Sequence, residues 1–146
     1  MKGESVLIGV LVVAHGDLGS TLLESIGIIA GKVENAHSVG LHHGDSPEIF
    51  RNTIKEAVEQ LDMGSGVIVL VDFFGGTPGN EVLKCLPREN MKVLSGVNMA
   101  MLLEVVVNRE FITDLESLSQ LALDSGKSSI QDLNQLYKKM MEKAGN

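Results

Sequence analysis

The sequence predicts an α/β fold, a doubly wound, mainly parallel four-stranded sheet with helices on both faces. Two observations carry this. Continuous apolar runs, from Val6 through Ala14 and from Val67 through Val71, end in glycine-bearing turns, as strands buried on both faces do. These runs alternate with helix-length amphipathic segments, the pattern of strand–helix crossovers. The 146 residues, 44% of them hydrophobic, suffice for one domain, residues 1–146, with a sizeable core.

The first strand spans about Val6 to Ala14. A helix follows from near Ser20 to Ala30, with Leu22, Leu23, Ile26, Ile29 and Ala30 at helical spacing. Ala36 to Leu41 forms a second, shorter strand, and His42-His43-Gly44-Asp45 a loop. Ser46 is placed to cap the next helix, with Pro47 at its first position, where a missing N–H costs nothing. That helix, Glu48 to Leu61, turns Ile49, Phe50, Ile54, Val58 and Leu61 inward. Gly64-Ser65-Gly66 breaks it, and Val67 to Val71 is the third strand. The segment from Asp72 to Asn80 leads into a short helix ending near Leu86. Met91 to Ser95 is the fourth strand, followed by the turn Gly96-Val97-Asn98 and a helix from Met99 to Asn108. The remainder reads as helical: Leu115 to Leu123 and, past a break at Ser125-Gly126, Ile130 to about Lys143.

Composition excludes several function classes. A net charge of −7 without a lysine or arginine cluster argues against nucleic-acid binding. No apolar run approaches the roughly 20 residues that cross a bilayer. Met1-Lys2-Gly3-Glu4-Ser5 and the run after it lack a cleavage motif, so they read as the approach to a strand and not as a signal peptide. The single cysteine, Cys85, excludes an internal disulfide and fits a reducing cytoplasm. Aromatics make up only 3%, too few for a base- or sugar-stacking platform.

His15 ends the first apolar run, at the rim of a parallel sheet where ligands bind. Its imidazole is a candidate nucleophile, general base or metal ligand. The turns His15-Gly16-Asp17, Asp72 through Asn80 and Gly96-Val97-Asn98 follow strands one, three and four and share that rim. Asp72, ending the central strand, can accept a hydrogen bond from one ring nitrogen and fix the tautomer that leaves the other free to attack phosphorus. Gly75-Gly76-Thr77 offers backbone N–H groups and a hydroxyl to phosphoryl oxygens. Each residue also has a structural reading: His15 as a packing or turn residue, Asp72 as a turn cap, Gly75 to Pro78 as a tight turn. Metal ligation by His42, His43 and Asp45 is disfavoured because adjacent side chains point apart, and all three read as surface loop residues. No metal site follows elsewhere. Asp17 reads as a helix cap, Cys85 as inert core, His37 as a strand-flanking residue, and Met99, Leu102 and Leu103 as packing. Gly126-Lys127-Ser128 lacks the earlier glycine and preceding strand of a P-loop.

Three stretches together resemble the IIA component of the mannose family of the bacterial phosphoenolpyruvate-dependent sugar phosphotransferase system. They are Val13-Ala14-His15-Gly16, Leu70 through Asn80 and Ser95 through Glu104, and the likeness runs in order over about residues 6 to 130, including Leu121 to Gly126. The resemblance implies a cytoplasmic phosphohistidine carrier, peripherally associated with a membrane permease complex and needing no cofactor. His15 would take a phosphoryl group on Nε2 from HPr and pass it to a IIB component, with membrane IIC and IID components downstream. Asp72 would orient the imidazole, while Gly16, Gly75, Gly76 and Thr77 would face the phosphoryl group. It also implies a homodimer, with an extra C-terminal edge strand exchanged between copies. Two departures stand out: Ala100 replaces a common proline, and no IIB domain or Ala/Pro linker follows Gly126, which places IIB on a separate chain.

Alternatives from other classes remain. A IIA-like phosphoryl relay subunit of a dihydroxyacetone kinase shares the histidine, but its first motif more often reads His-Ser than His-Gly. A regulatory binding module without turnover would tolerate His15→Gln. A hydrolase is disfavoured by the lack of a nucleophile-elbow serine. Without a ligand cluster or a second nucleophile beside it, His15 reads as the nucleophile itself.

Overall fold

The computed structural model describes residues 6–145. The segment bearing on a signal peptide, Met1 to Ser5, lies outside them. The elements are β1 (Gly9–His15), α1 (Leu18–Ala30), β2 (Ala36–Leu41), α2 (Pro47–Leu61), β3 (Val67–Val71), α3 (Thr77–Leu83), β4 (Met91–Ser95), α4 (Met99–Asn108), α5 (Leu115–Ser128) and α6 (Leu133–Ala144). The strands form one parallel sheet in the order β2-β1-β3-β4.

Strand side chains alternate between faces, which explains the unbroken apolar runs. Leu11, Val13, Val67, Val69 and Val71 face α2 and α3 and pack with Phe50, Ile54, Val58, Leu61 and Val82. Val10, Val12, Ile68 and Leu70 face the other layer, with Ile26 of α1, Leu102 and Val105 of α4, and Leu118 and Ala122 of α5. Because both faces of β1 and β3 are covered, neither strand has a position for a polar residue until its carboxyl end. Full burial of a side chain such as Leu102 contributes about 1.5–3 kcal/mol.

Several boundaries differ from the sequence expectation. β1 starts at Gly9, where pairing with Val67 begins, and extends through His15, which pairs with Leu41. α5 runs straight through Ser125-Gly126: a Cβ on Gly126 would stand 2.4 Å from Cγ of Met101, so the glycine marks the close approach of α4 and α5 and not a break. α6 starts at Leu133 because the Asp132 carboxylate accepts bonds from the N–H groups of Asn134 and Gln135. Among the described residues the sheet has four strands, and Leu133–Ala144 is helical. No extra C-terminal edge strand is present among the described residues of the single chain. α6 instead leaves Leu133, Leu136, Tyr137, Met140 and Met141 exposed along one stripe. No helix of the described residues is long and apolar enough to cross a membrane.

The chain leaves β1 for β2 on one side and reaches β3 on the other. The strand order therefore reverses between β1 and β3, and their carboxyl ends border the crevice that such a reversal opens. His15 ends one of these strands and Asp72 follows the other.

Candidate functional site

The parallel register of Val13 with Val71 brings Asp72 alongside His15, and the Asp72 N–H donates to the Val13 carbonyl at 3.3 Å. Asp72 Oδ2 accepts the His15 backbone N–H at 2.9 Å and lies 2.6 Å from His15 Nδ1. Oδ1 accepts the Phe73 N–H at 2.9 Å. The Asp72 side chain is 9% exposed and that of His15 48%. Burial alone would raise the Asp72 pKa. Bonds from the His15 ring, the His15 N–H and the Phe73 N–H outweigh it and hold the carboxyl below the usual carboxylate range. An ionised carboxylate only accepts, so Nδ1 carries the proton, and whenever the ring is neutral its lone pair lies at Nε2.

Two neighbours limit the ring's movement. Phe73 stacks against it, with ring centroids 5.6 Å apart and planes 18° from parallel. On another side, a Cβ at Gly76 would stand 3.1 Å from His15 Cε1. The imidazole is thus held by one carboxylate, one aromatic face and one close backbone segment.

His15 opens into a cavity of about 440 Å³ that Gly16, Thr77, His42, His43 and Asp45 also line. The structure therefore gathers His15, Gly16 and Thr77 around one concavity and puts Asp72 behind the ring. Gly76 touches the ring, whereas Gly75, at φ +107°, serves the turn and does not line the cavity. The third rim turn stays apart from it. Asn98 caps α4 by accepting the Met101 N–H at 3.0 Å, and the Val97 N–H donates to Val71 O at 3.0 Å. Cys85 lies just past α3, half-buried, and burial pushes its thiol pKa up.

His42 and Asp17 depart most from the expectation. Asp17 makes no side-chain cap to α1; its Oδ1 lies 3.2 Å from His42 Nε2. The His42 N–H donates to Asp45 Oδ2 at 2.8 Å, which closes the loop after β2. His42 is an exposed loop residue, as expected, but its ring is engaged by Asp17 and it also lines the rim cavity beside His15. A signal was present, since in an all-parallel sheet the turn after the second strand must end on the same rim as the other three. Its neighbourhood to His15 depends on the strand order, which periodicity does not specify. Gly40 makes the approach possible. A Cβ there would fall 2.0 Å from Gly16 O, and with glycine the Gly16 N–H reaches Leu41 O at 2.8 Å.

Residues 9–121 match the family described as the PTS system fructose IIA component. The chain belongs to this family. Its likeness to the fructose-specific EIIA component of Bacillus subtilis is 32% identity over 123 residues, 84% of each protein. The mannose-specific EIIAB component of Escherichia coli K12 is 28% identical over 127 residues, 86% of this chain but 39% of the relative. This IIA chain thus spans about two fifths of the length of that relative. Among solved structures, the EIIA component from Streptococcus agalactiae superimposes with a TM-score of 0.80 at 29% identity, over 88% of this chain and 99% of that one. A PTS IIA protein associated with the fucose utilization operon of Streptococcus pneumoniae gives 0.82 at 26% identity, over 92% and 99%. The matched stretch of this IIA chain begins at the first residue of β1 and contains His15, Asp72 and Thr77.

Proposed function

We propose that this IIA chain is a phosphohistidine carrier of a sugar phosphotransferase system, accepting a phosphoryl group from phospho-HPr on His15 and passing it to a IIB component for sugar uptake. The observation that supports this best is the 2.6 Å contact between His15 Nδ1 and the Asp72 carboxylate. In the first step the Nε2 lone pair attacks phosphorus. The bond from phosphorus to the donor breaks, and its electron pair leaves with the donor. Positive charge then develops on the imidazole, and the Nδ1–H bond to Asp72 stabilises it. Transfer to IIB runs the same sequence in the other direction, with the electron pair returning to Nε2. Gly16 and Thr77, on the cavity wall, and the Gly76 backbone beside the ring are assigned to the phosphoryl oxygens, while Gly75, off the cavity, shapes the turn that presents Gly76. The carrier is taken to act in the cytoplasm as a homodimer, next to the membrane IIC and IID components.

Incubation with phosphoenolpyruvate, enzyme I and HPr tests this. The expected product carries one acid-labile, alkali-stable phosphoryl group on His15, and His15→Ala takes up none. An unlabelled wild type, or a labelled His15→Ala, overturns the assignment.

A further inference from the structure

We infer that His42 is a second phosphoryl-binding residue, which takes up a proton and grips the oxygens of the group carried by His15. This rests on the carrier reading above. A phosphoryl group brings about two negative charges near neutral pH. It arrives at a rim that already holds the Asp72, Asp45 and Asp17 carboxylates, and among the described residues none lining the cavity is a lysine or arginine. Like charges this close oppose one another unless a cation intervenes. On the cavity wall, apart from His15 itself, only His42 and His43 can become cationic.

Of these two, His42 is the one held in place. Its N–H is anchored on Asp45 Oδ2 at 2.8 Å, its Nε2 lies 3.2 Å from Asp17 Oδ1, and its Nδ1 lies 3.8 Å from Asp45 Oδ2. The ring rests over Gly40, where a Cβ would stand 3.3 Å from His42 Cε1 and 2.0 Å from Gly16 O. Any side chain at position 40 would thus fill the space between His42 and the turn that carries His15. The Asp17 side chain is 85% exposed, so water can take over from His42 at little cost when a phosphoryl oxygen competes for the ring. The imidazole exchanges an exposed carboxylate for a phosphoryl oxygen on the same rim.

The groups facing His42 are Asp17 from the turn before α1, Asp45 and His43 from its own loop, Thr77 from α3, and His15 backed by Asp72. Of these, only His15 changes charge on phosphoryl loading. Proton uptake by His42 is therefore linked to that loading, and the His42 contribution to the transfer equilibrium favours the loaded form at lower pH.

Nitrogen NMR of the His42 ring across a pH titration, with His15 free and then loaded from phosphoenolpyruvate, enzyme I and HPr, tests this in the wild-type protein. The midpoint of His42 is expected to rise by about one pH unit, a tenfold gain in proton affinity. His42→Gln should still label His15 but lose the corresponding pH dependence of the transfer equilibrium relative to wild type. His42→Lys should retain the low-pH behaviour at every pH. A labelled wild type whose His42 midpoint does not move overturns this inference and leaves the carrier reading intact. A wild type that takes up no label overturns both.

Discussion

Two imidazole–carboxylate pairs stand on one rim and differ in almost everything but chemistry. His15 and Asp72 meet at 2.6 Å, with the carboxylate 9% exposed and two backbone N–H groups also bound to it. His42 and Asp17 meet at 3.2 Å, with that carboxylate 85% exposed and free to turn into water. A charge-assisted hydrogen bond in the first setting is worth about 1.5–3 kcal/mol, whereas an exposed pair contributes about 0–1 kcal/mol. Burial decides what each pair can do. The enclosed pair is built to fix a tautomer and, on the proposed carrier reading, an attack direction, whereas the open pair is built to exchange its partner for water or a ligand oxygen.

The comparison breaks most severely at Asp72. In Asp72→Asn the amide offers N–H to Nδ1, so the ring proton moves to Nε2, the nitrogen that must attack. Phosphoryl uptake from phospho-HPr, followed by rapid quench, should fall about 10³–10⁴-fold, the scale of losing an orienting aspartate behind a catalytic histidine. An unchanged rate would mean that Asp72 does not set the tautomer. Gly40→Ala acts on both pairs at once, because its Cβ would sit 2.0 Å from Gly16 O and must push the two turns apart. Urea unfolding should show a loss of about 1–3 kcal/mol, with weaker labelling of His15.

Phe73→Leu touches the enclosed pair alone, removing the ring stacked at 5.6 Å from His15. An aromatic contact worth about 0.5–1.5 kcal/mol corresponds to a two- to tenfold slower transfer, read in the same assay with the fold unchanged by circular dichroism. The gentlest probe is acid. The Asp72 carboxyl is held below its usual range in the folded protein, so its stabilisation is complete above the unfolded value of about 3.9. That contribution is lost as pH falls through the lower folded value. The stability difference between wild type and Asp72→Asn, measured by chemical unfolding, should therefore shrink below about pH 4.

Buried strands were the most legible part of the molecule. β3 has the bounds that its apolar run implies, because residues covered on both faces admit no polar interruption. β2 and β4 also have the expected bounds, although they are half-buried edge strands that carry His37, Ser38 and Lys92. Helix ends set by local capping were legible too, as at Ser46, whose hydroxyl accepts the Ile49 N–H at 3.4 Å. What depends on neighbours far along the chain was not. Gly126 reads as a helix break until Met101 is seen against it, and Asp17 reads as a cap until β2 delivers His42 to its carboxylate. The rim position of His15 and Asp72 follows from strand ends alone. The place of His42 follows only from β2 lying beside β1.

Nitrogen NMR of the His15 ring, before and after incubation with phosphoenolpyruvate, enzyme I and HPr, reads the enclosed pair most directly. The geometry predicts a proton on Nδ1 throughout and phosphorus coupled to Nε2 after loading. A proton on Nε2 in the free protein, or phosphorus on Nδ1 or on another residue, would contradict it.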